Sequence, residues 1–98
     1  MFNFNHRPTQ EQARSSLFDA INAGQSLLRD SSTNLTDKMF DIWFDYSRKC
    51  IQRAFGQDSY KIESNYLEIN ISFLRNNLSA TQKLEYCIRF LLDVVGAI

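Results

Sequence analysis

Several residue types that mark particular protein classes are scarce in this chain of 98 residues. One proline and three glycines are too few for a turn-rich β-sandwich or for a disordered linker. One histidine, His6, and two distant cysteines, Cys50 and Cys87, cannot supply a usual set of zinc ligands or a disulfide framework. We therefore expect no metal, no cofactor and two reduced cysteines on apolar helix faces.

The sequence also lacks an excess of charge and a long apolar run. Lysine plus arginine equal aspartate plus glutamate at 11 each, and this balance argues against a dedicated nucleic-acid-binding protein. No apolar run approaches the roughly 20 residues of a membrane span, and the first residues do not form a signal peptide. These features predict a cytoplasmic protein, with residues 1–98 as a single domain and no membrane contact.

Apolar side chains recur along most of the chain at the spacing of helices that bury one face. After a short N-terminal arm, residues 1–8, this spacing predicts helices at about residues 9–29, 36–55, 59–76 and 80–95. The loops between them are short, which favours antiparallel neighbours. The predicted fold is therefore all-α, a compact four-helix antiparallel bundle.

Polar residues and glycine mark several of the predicted helix ends. Thr9 with Gln12, and Ser79 with Gln82, have the spacing of a capping box, in which each side chain bonds the other residue's backbone N–H. Gly56 follows the second helix and predicts a left-handed helix end.

Each predicted helix carries an apolar stripe that we assign to the core. Gly24 lies on the same side of the helix as the first stripe. Glycine is a poorer helix former than alanine, so we expect this glycine only if a neighbouring helix packs closely against it. The stripes are Ala13, Leu17, Phe18, Ile21 and Leu28; Phe40, Trp43, Phe44, Ser47, Cys50, Ile51, Ala54 and Phe55; Ile62, Tyr66, Ile69 and Phe73, widened by Leu67 and Leu74; and Leu84, Cys87, Ile88, Leu91, Leu92 and Val95.

The segment from Leu67 to Phe73 has two readings. Its apolar and polar residues alternate strictly, which is typical of a strand. A single strand would have no partner elsewhere in the chain, however, and its backbone polar groups would remain unsatisfied. We therefore favour a helix.

Charged residues on the second helix give two hypotheses for a ligand site. Asp37, Asp41 and Asp45 recur every four residues, as in a carboxylate site for a divalent metal or, as we favour, on a solvated helix face. We expect no catalytic residues.

The end of the same helix carries a basic patch of Arg48, Lys49 and Arg53. These side chains complement the helix dipole, but they are also suited to hold a phosphate. Tyr60, or Tyr46 or Trp43, would then stack on a base, as in a nucleotide or single-stranded nucleic-acid site.

Aromatic residues exceed what a core of this size requires, and the surplus suggests a protein interface. Candidate interface residues are Phe2 and Phe4 in the arm, Trp43, and Ile98 at the apolar C-terminal end. Trp43 is equally suited to anchor the core. Ile98 either packs on the bundle or marks a domain cut from a longer protein.

The run from Trp43 to Phe55-Gly56, followed by Ser59, resembles a pattern in helical N-terminal regions of bacterial anti-phage and abortive-infection proteins. The later residues 66–69 and 73–74 are similar to the tyrosine-bearing helix of that pattern. The resemblance implies a regulatory, sensing or oligomerising module beside a toxic effector. No effector domain follows Ile98 here, and the Arg-then-His pair of related helical ribonucleases is missing, so nuclease activity is not implied.

Three hypotheses about function follow from these observations. The leading one is a non-enzymatic protein-interaction or oligomerisation module, with a protein partner or a second copy as its ligand. The alternative is a small protein that binds a nucleotide or nucleic acid through the basic patch. An enzyme that uses a metal on the three aspartates comes third.

Overall fold

The computed structural model describes residues 8–31 and 34–98, and it shows four α-helices in these ranges. They are α1 (Gln10–Ser31), α2 (Asp37–Phe55), α3 (Ser59–Asn76) and α4 (Ala80–Ala97). A 3-10 turn, Gly56–Asp58, joins α2 to α3. The two described ranges contain no strand, which confirms the all-α prediction and settles the segment from Leu67 to Phe73 as helix.

Helices that follow one another in the chain pack side by side in opposite directions. Asp19 in the first half of α1 pairs with Arg53 near the end of α2 at 3.9 Å. The ring of Tyr66 on α3 stacks on Phe44 of α2 and on Phe90 of α4, with centroids 4.5 and 5.2 Å away. In the described part of the chain, α1 contacts α2 and α4 but not α3, whereas α2 contacts α4 across the bundle.

The two predicted capping boxes form, and a third helix start also has a side-chain cap. Thr9 and Gln12 exchange hydrogen bonds of 2.9 and 3.1 Å, and Ser79 and Gln82 exchange bonds of 3.0 and 3.2 Å. The Thr36 side chain accepts from the Met39 N–H at 3.2 Å. Each cap satisfies N–H groups that have no partner within the helix, so the sequence fixes these helix starts locally.

The junction between α2 and α3 depends on Gly56. Its backbone has φ 57° and ψ −123°, so φ is positive as predicted, but ψ lies outside the left-handed helical region. Residues with a Cβ rarely adopt this conformation. The backbone N–H of Gly56 completes the last helical bond of α2 to the Gln52 carbonyl, and its conformation then turns the chain, so that α3 begins after one tight turn.

The core consists mainly of the predicted stripes, with aromatic rings at its centre. Phe40 lies against three other rings, those of Trp43, Phe44 and Phe73, at centroid distances of 6.2, 5.6 and 6.2 Å. The fully buried apolar residues include Leu17, Ile21, Phe40, Cys50, Ile51, Tyr66, Leu84, Cys87 and Leu91.

Three residues assigned to the stripes lie further out than predicted. Phe18 and Leu92 are 40% and 43% exposed, and Leu74 is 80% exposed. Phe90, which the stripe of α4 omitted, is half-buried against Tyr66. The physical reason is that each helix buries only the side that faces its neighbours, and the edge of an apolar stripe remains in solvent.

Helices α1, α2 and α4 meet most closely at Gly24. A Cβ at this position would lie 2.9 Å from Cδ1 of Ile88 and 3.0 Å from two ring carbons of Trp43. The Trp43 indole N–H also donates to the Ala20 carbonyl at 3.0 Å, in a buried hydrogen bond. This contact confirms the prediction that close packing requires the glycine.

We predict that Gly24→Ala destabilises the protein although alanine is the better helix former. Alanine adds about 1 kcal/mol of helix propensity, whereas overpacking against a buried indole costs about 1–3 kcal/mol. Denaturant unfolding should show a net loss. Gly96→Ala is the matched control, because it lies in α4 with no atom within 4 Å of its added Cβ, and it should stabilise. Equal effects of the two substitutions would contradict the packing explanation.

Candidate functional site

A buried polar cluster joins α2 and α3. The hydroxyls of Ser47 and Tyr66 are 2.7 Å apart, and Ser47 also donates to the Phe44 carbonyl at 2.6 Å. Burial raises the pKa of Tyr66 well above its ordinary value. Every buried side-chain polar atom in the described residues has a hydrogen-bond partner, and this cluster therefore holds the two helices together without exposing a reactive group.

The two cysteines lie in the core as free thiols, as predicted. Neither side chain is exposed to solvent. Burial raises the pKa of the Cys87 thiol to about 12. A thiol that stays protonated at neutral pH is a poor nucleophile, so Cys87 acts as a small apolar residue.

The predicted basic patch is directed toward three different helices. Arg48 binds Glu63 of α3 at 3.3 Å, and Arg53 pairs with Asp19 of α1 at 3.9 Å. Lys49 pairs with Asp45 on its own helix at 3.3 Å. To bind all three cations, a phosphate would have to displace the carboxylates of Glu63, Asp19 and Asp45. These carboxylates lie on three helices, so the three cations do not converge on one point.

Tyr60, the predicted stacking partner of the basic patch, is 63% exposed. Lys61 lies over its ring at 6.0 Å from the centroid. The structure thus leaves the Tyr60 ring open to solvent, but it does not gather the basic side chains around one ligand.

Of the four candidate interface residues, two lie outside the described residues, Phe2 and Phe4. Trp43 is only 5% exposed, so its assignment to an interface was wrong and its alternative assignment to the core is correct. Its ring lies against Gly24 of α1 and against the ring of Phe40. Ile98 is half-buried against the core, and its carbonyl accepts a 3.3 Å hydrogen bond from Arg14.

The three aspartates of α2 form a ridge beside α3. Asp37 pairs with Lys83 of α4 at 3.3 Å, and Asp45 pairs with Lys49. Asp41 has no ion pair or hydrogen bond in the part of the chain that the structure describes. Within residues 8–31 and 34–98, no three side chains are grouped as ligands for a metal ion.

Helix α3 carries more large, exposed apolar side chains than any other helix in the described residues. Tyr60, Ile71 and Leu74 are 63%, 57% and 80% exposed, and half-buried Leu67 continues their row. Tyr60, Leu67 and Leu74 repeat at the seven-residue spacing of a coiled-coil seam, and Ile71 lies four residues after Leu67; we call these four residues the α3 outer face. The same helix buries only Ser59, Tyr66 and Phe73.

A groove of about 260 Å³ lies between the ridge and the α3 outer face. Asp37 and Asp41 line it from α2, Ile71 and Leu74 from α3, and Lys83 from α4. We call this cavity the α2–α3 groove. It combines an apolar wall with an acidic one, whereas a second cavity at the other end of the bundle, about 150 Å³ beside Pro8 and Ile98, is mostly apolar.

The α3 outer face was not recognised from the sequence, although the signal for it was present. Leu67 and Leu74 were both assigned to a wider core stripe; half-buried Leu67 does pack against the core, whereas Leu74 is 80% exposed. The seven-residue repeat from Tyr60 through Leu67 to Leu74, continued by Ile71, would have identified a second, separate face.

Comparison with protein-family models, with curated proteins and with solved structures gives no match. No helix in the described ranges is long and apolar enough to cross a membrane. The proposals below therefore depend on the geometry of this chain.

We predict that Cys87 weakens the protein at alkaline pH. The folded state holds the thiol proton up to about pH 12, whereas the unfolded thiol loses it near pH 8.5. The stability linked to this group is complete below about pH 8.5 and is lost as pH rises toward 12. Between about pH 9 and 11, the free energy of unfolding should fall more steeply than in Cys87→Ala, by up to about 1.4 kcal/mol per pH unit. Parallel curves for the two proteins would contradict this prediction.

Proposed function

We propose that this protein is a non-enzymatic protein-interaction module, and that the α3 outer face is its contact surface. The observation that carries the proposal is the row of Tyr60, Leu67, Ile71 and Leu74 at coiled-coil spacing on an exposed helix side. Single exposed apolar residues are common on protein surfaces, but a contiguous row of them marks a binding site.

The energetics of this row favour a partner. Leu74 and Ile71 contribute little to folding in their exposed positions, because burial of an apolar side chain is what stabilises. On association, each fully covered Leu or Ile side chain would gain about 1.5–3 kcal/mol from burial. The bundle also supplies a rigid base for the face, since Tyr66 and Phe73 anchor the neighbouring side of α3 in the core.

The same proposal includes a regulatory role in bacterial anti-phage defence, with the cytoplasm as its place of action. Its support is the resemblance of the run from Trp43 to Ser59 to helical modules of abortive-infection proteins. Its test is the gene neighbourhood, in which a toxic effector gene should lie beside this one. Neighbours without an effector or other defence gene would remove this part of the proposal.

We predict that a photo-crosslinking amino acid at position 74 captures a defined protein in host cells, either a partner or a second copy. The same residue at position 42 is the control, because Ile42 is 65% exposed on α2 but does not line the α2–α3 groove. The captured protein, once purified, should bind the native chain and should lose binding to Leu74→Ser. A chain that is strictly monomeric in sedimentation and gives no product specific to position 74 would contradict an interaction module.

A further inference from the structure

We propose that the α2–α3 groove binds an amphipathic helix of a different protein, with basic residues along the flank that faces α2. This inference rests on the proposed function and names the chemistry of the partner. The groove adjoins the C-terminal half of the α3 outer face at Ile71 and Leu74, and Asp37 and Asp41 of the ridge line its other wall.

The apolar row specifies a helix as the occupant. The row has intervals of four and then three residues, from Leu67 to Ile71 and from Ile71 to Leu74. Alternating intervals of four and three are the repeat by which two helices pack their side chains together. An amphipathic helix that docks in a groove presents its apolar residues at the same repeat. A peptide bound by strand addition would need an unpaired strand edge, and the described residues of this bundle contain no strand.

The charges beside the row indicate that the partner helix should be basic. Lys83 neutralises Asp37 at 3.3 Å, and Lys49 holds Asp45 at 3.3 Å. Asp41 lies between them, lines the groove, and has no ion pair among the described residues. A lysine or arginine on the docked helix would pair with Asp41. Complementary charge beside an apolar contact selects partners and speeds association.

The opposite flank of the row makes an antiparallel second copy the poorer occupant. That flank carries Lys61, Glu68 and Arg75, which have mixed charge. Two copies that paired their α3 helices antiparallel about a two-fold axis would bring the same flank of each copy together. Asp41 would then approach the ridge of the other copy, where like charges repel, while Lys61 and Arg75 would lie on the far side.

The test uses three synthetic helices of about 21 residues, which is six helical turns. All three have leucine at the two apolar positions of each heptad, and their flanking positions carry lysine, glutamine or glutamate. Binding to the full chain is measured by amide chemical shifts. The lysine helix should shift the resonances of Asp41, Ile71 and Leu74, should bind at least about tenfold more tightly than the glutamine helix, and should weaken at raised salt.

Substitutions on both walls of the groove separate charge from apolar contact. Asp41→Lys should reverse the preference, so that the glutamate helix binds best. Asp93→Lys makes the same charge change at an exposed position of α4 and should not reverse it. Leu74→Ser should abolish binding of the lysine helix. Ile42→Ser removes a comparably exposed apolar side chain outside the groove and should leave binding unchanged.

The outcomes distinguish this inference from the proposed function. Equal binding of all three helices on the α3 outer face would overturn the basic partner and leave an interaction module intact. Self-association that Leu74→Ser abolishes would assign the face to a second copy and would also overturn the inference alone. No binding by any helix, together with no self-association, would contradict both proposals.

Discussion

The close approach of α1 to Trp43 at Gly24 is the constraint on which the rest of the bundle depends. The indole occupies the space where a side chain of α1 would lie, and its N–H donates to the Ala20 carbonyl at 3.0 Å. Ile88 of α4 reaches the same point from the other side. A buried indole needs a hydrogen-bond partner, and this one is satisfied by the backbone of a neighbouring helix. The contact therefore fixes α1, α2 and α4 relative to one another.

Helix α3 is attached to this frame by one side only. Tyr66 stacks between helices α2 and α4 through Phe44 and Phe90, and its hydroxyl is bonded to Ser47 at 2.7 Å. Phe73 adds an edge contact to Phe40. Because α1 lies across the bundle from α3, Tyr60, Ile71 and Leu74 of the α3 outer face remain more than half exposed, and only Leu67 is half-buried. The asymmetry of the core thus produces the surface to which we assign function.

Local features of the fold could be predicted from the sequence, and features that depend on neighbours could not. The capping boxes at Thr9 and Ser79 involve residues three apart, so their sequence pattern is sufficient. The stripe of α2 was correct in full, since it faces three helices. Leu74 and Leu92 were misassigned, because periodicity gives the apolar side of a helix but not how far its neighbours extend around it.

The candidate site shows the same division. Arg48, Lys49 and Arg53 are close in sequence, but successive helical residues point about 100° apart, and their carboxylate partners on three helices are not visible in the sequence. The α2–α3 groove likewise joins Asp41 to Ile71 across a turn, and only the packing of α3 on α2 brings them together.

The central claim is that the α3 outer face belongs to function and not to the fold. The most direct test is the free energy of unfolding of the double variant Ile71→Ser with Leu74→Ser, measured in denaturant against the native chain. Exposed substitutions away from packing contacts change stability by less than about 0.5 kcal/mol each, so the account predicts a loss of no more than about 1 kcal/mol. A loss of several kcal/mol would show that these side chains hold the bundle together, and would contradict the assignment of this face to a partner.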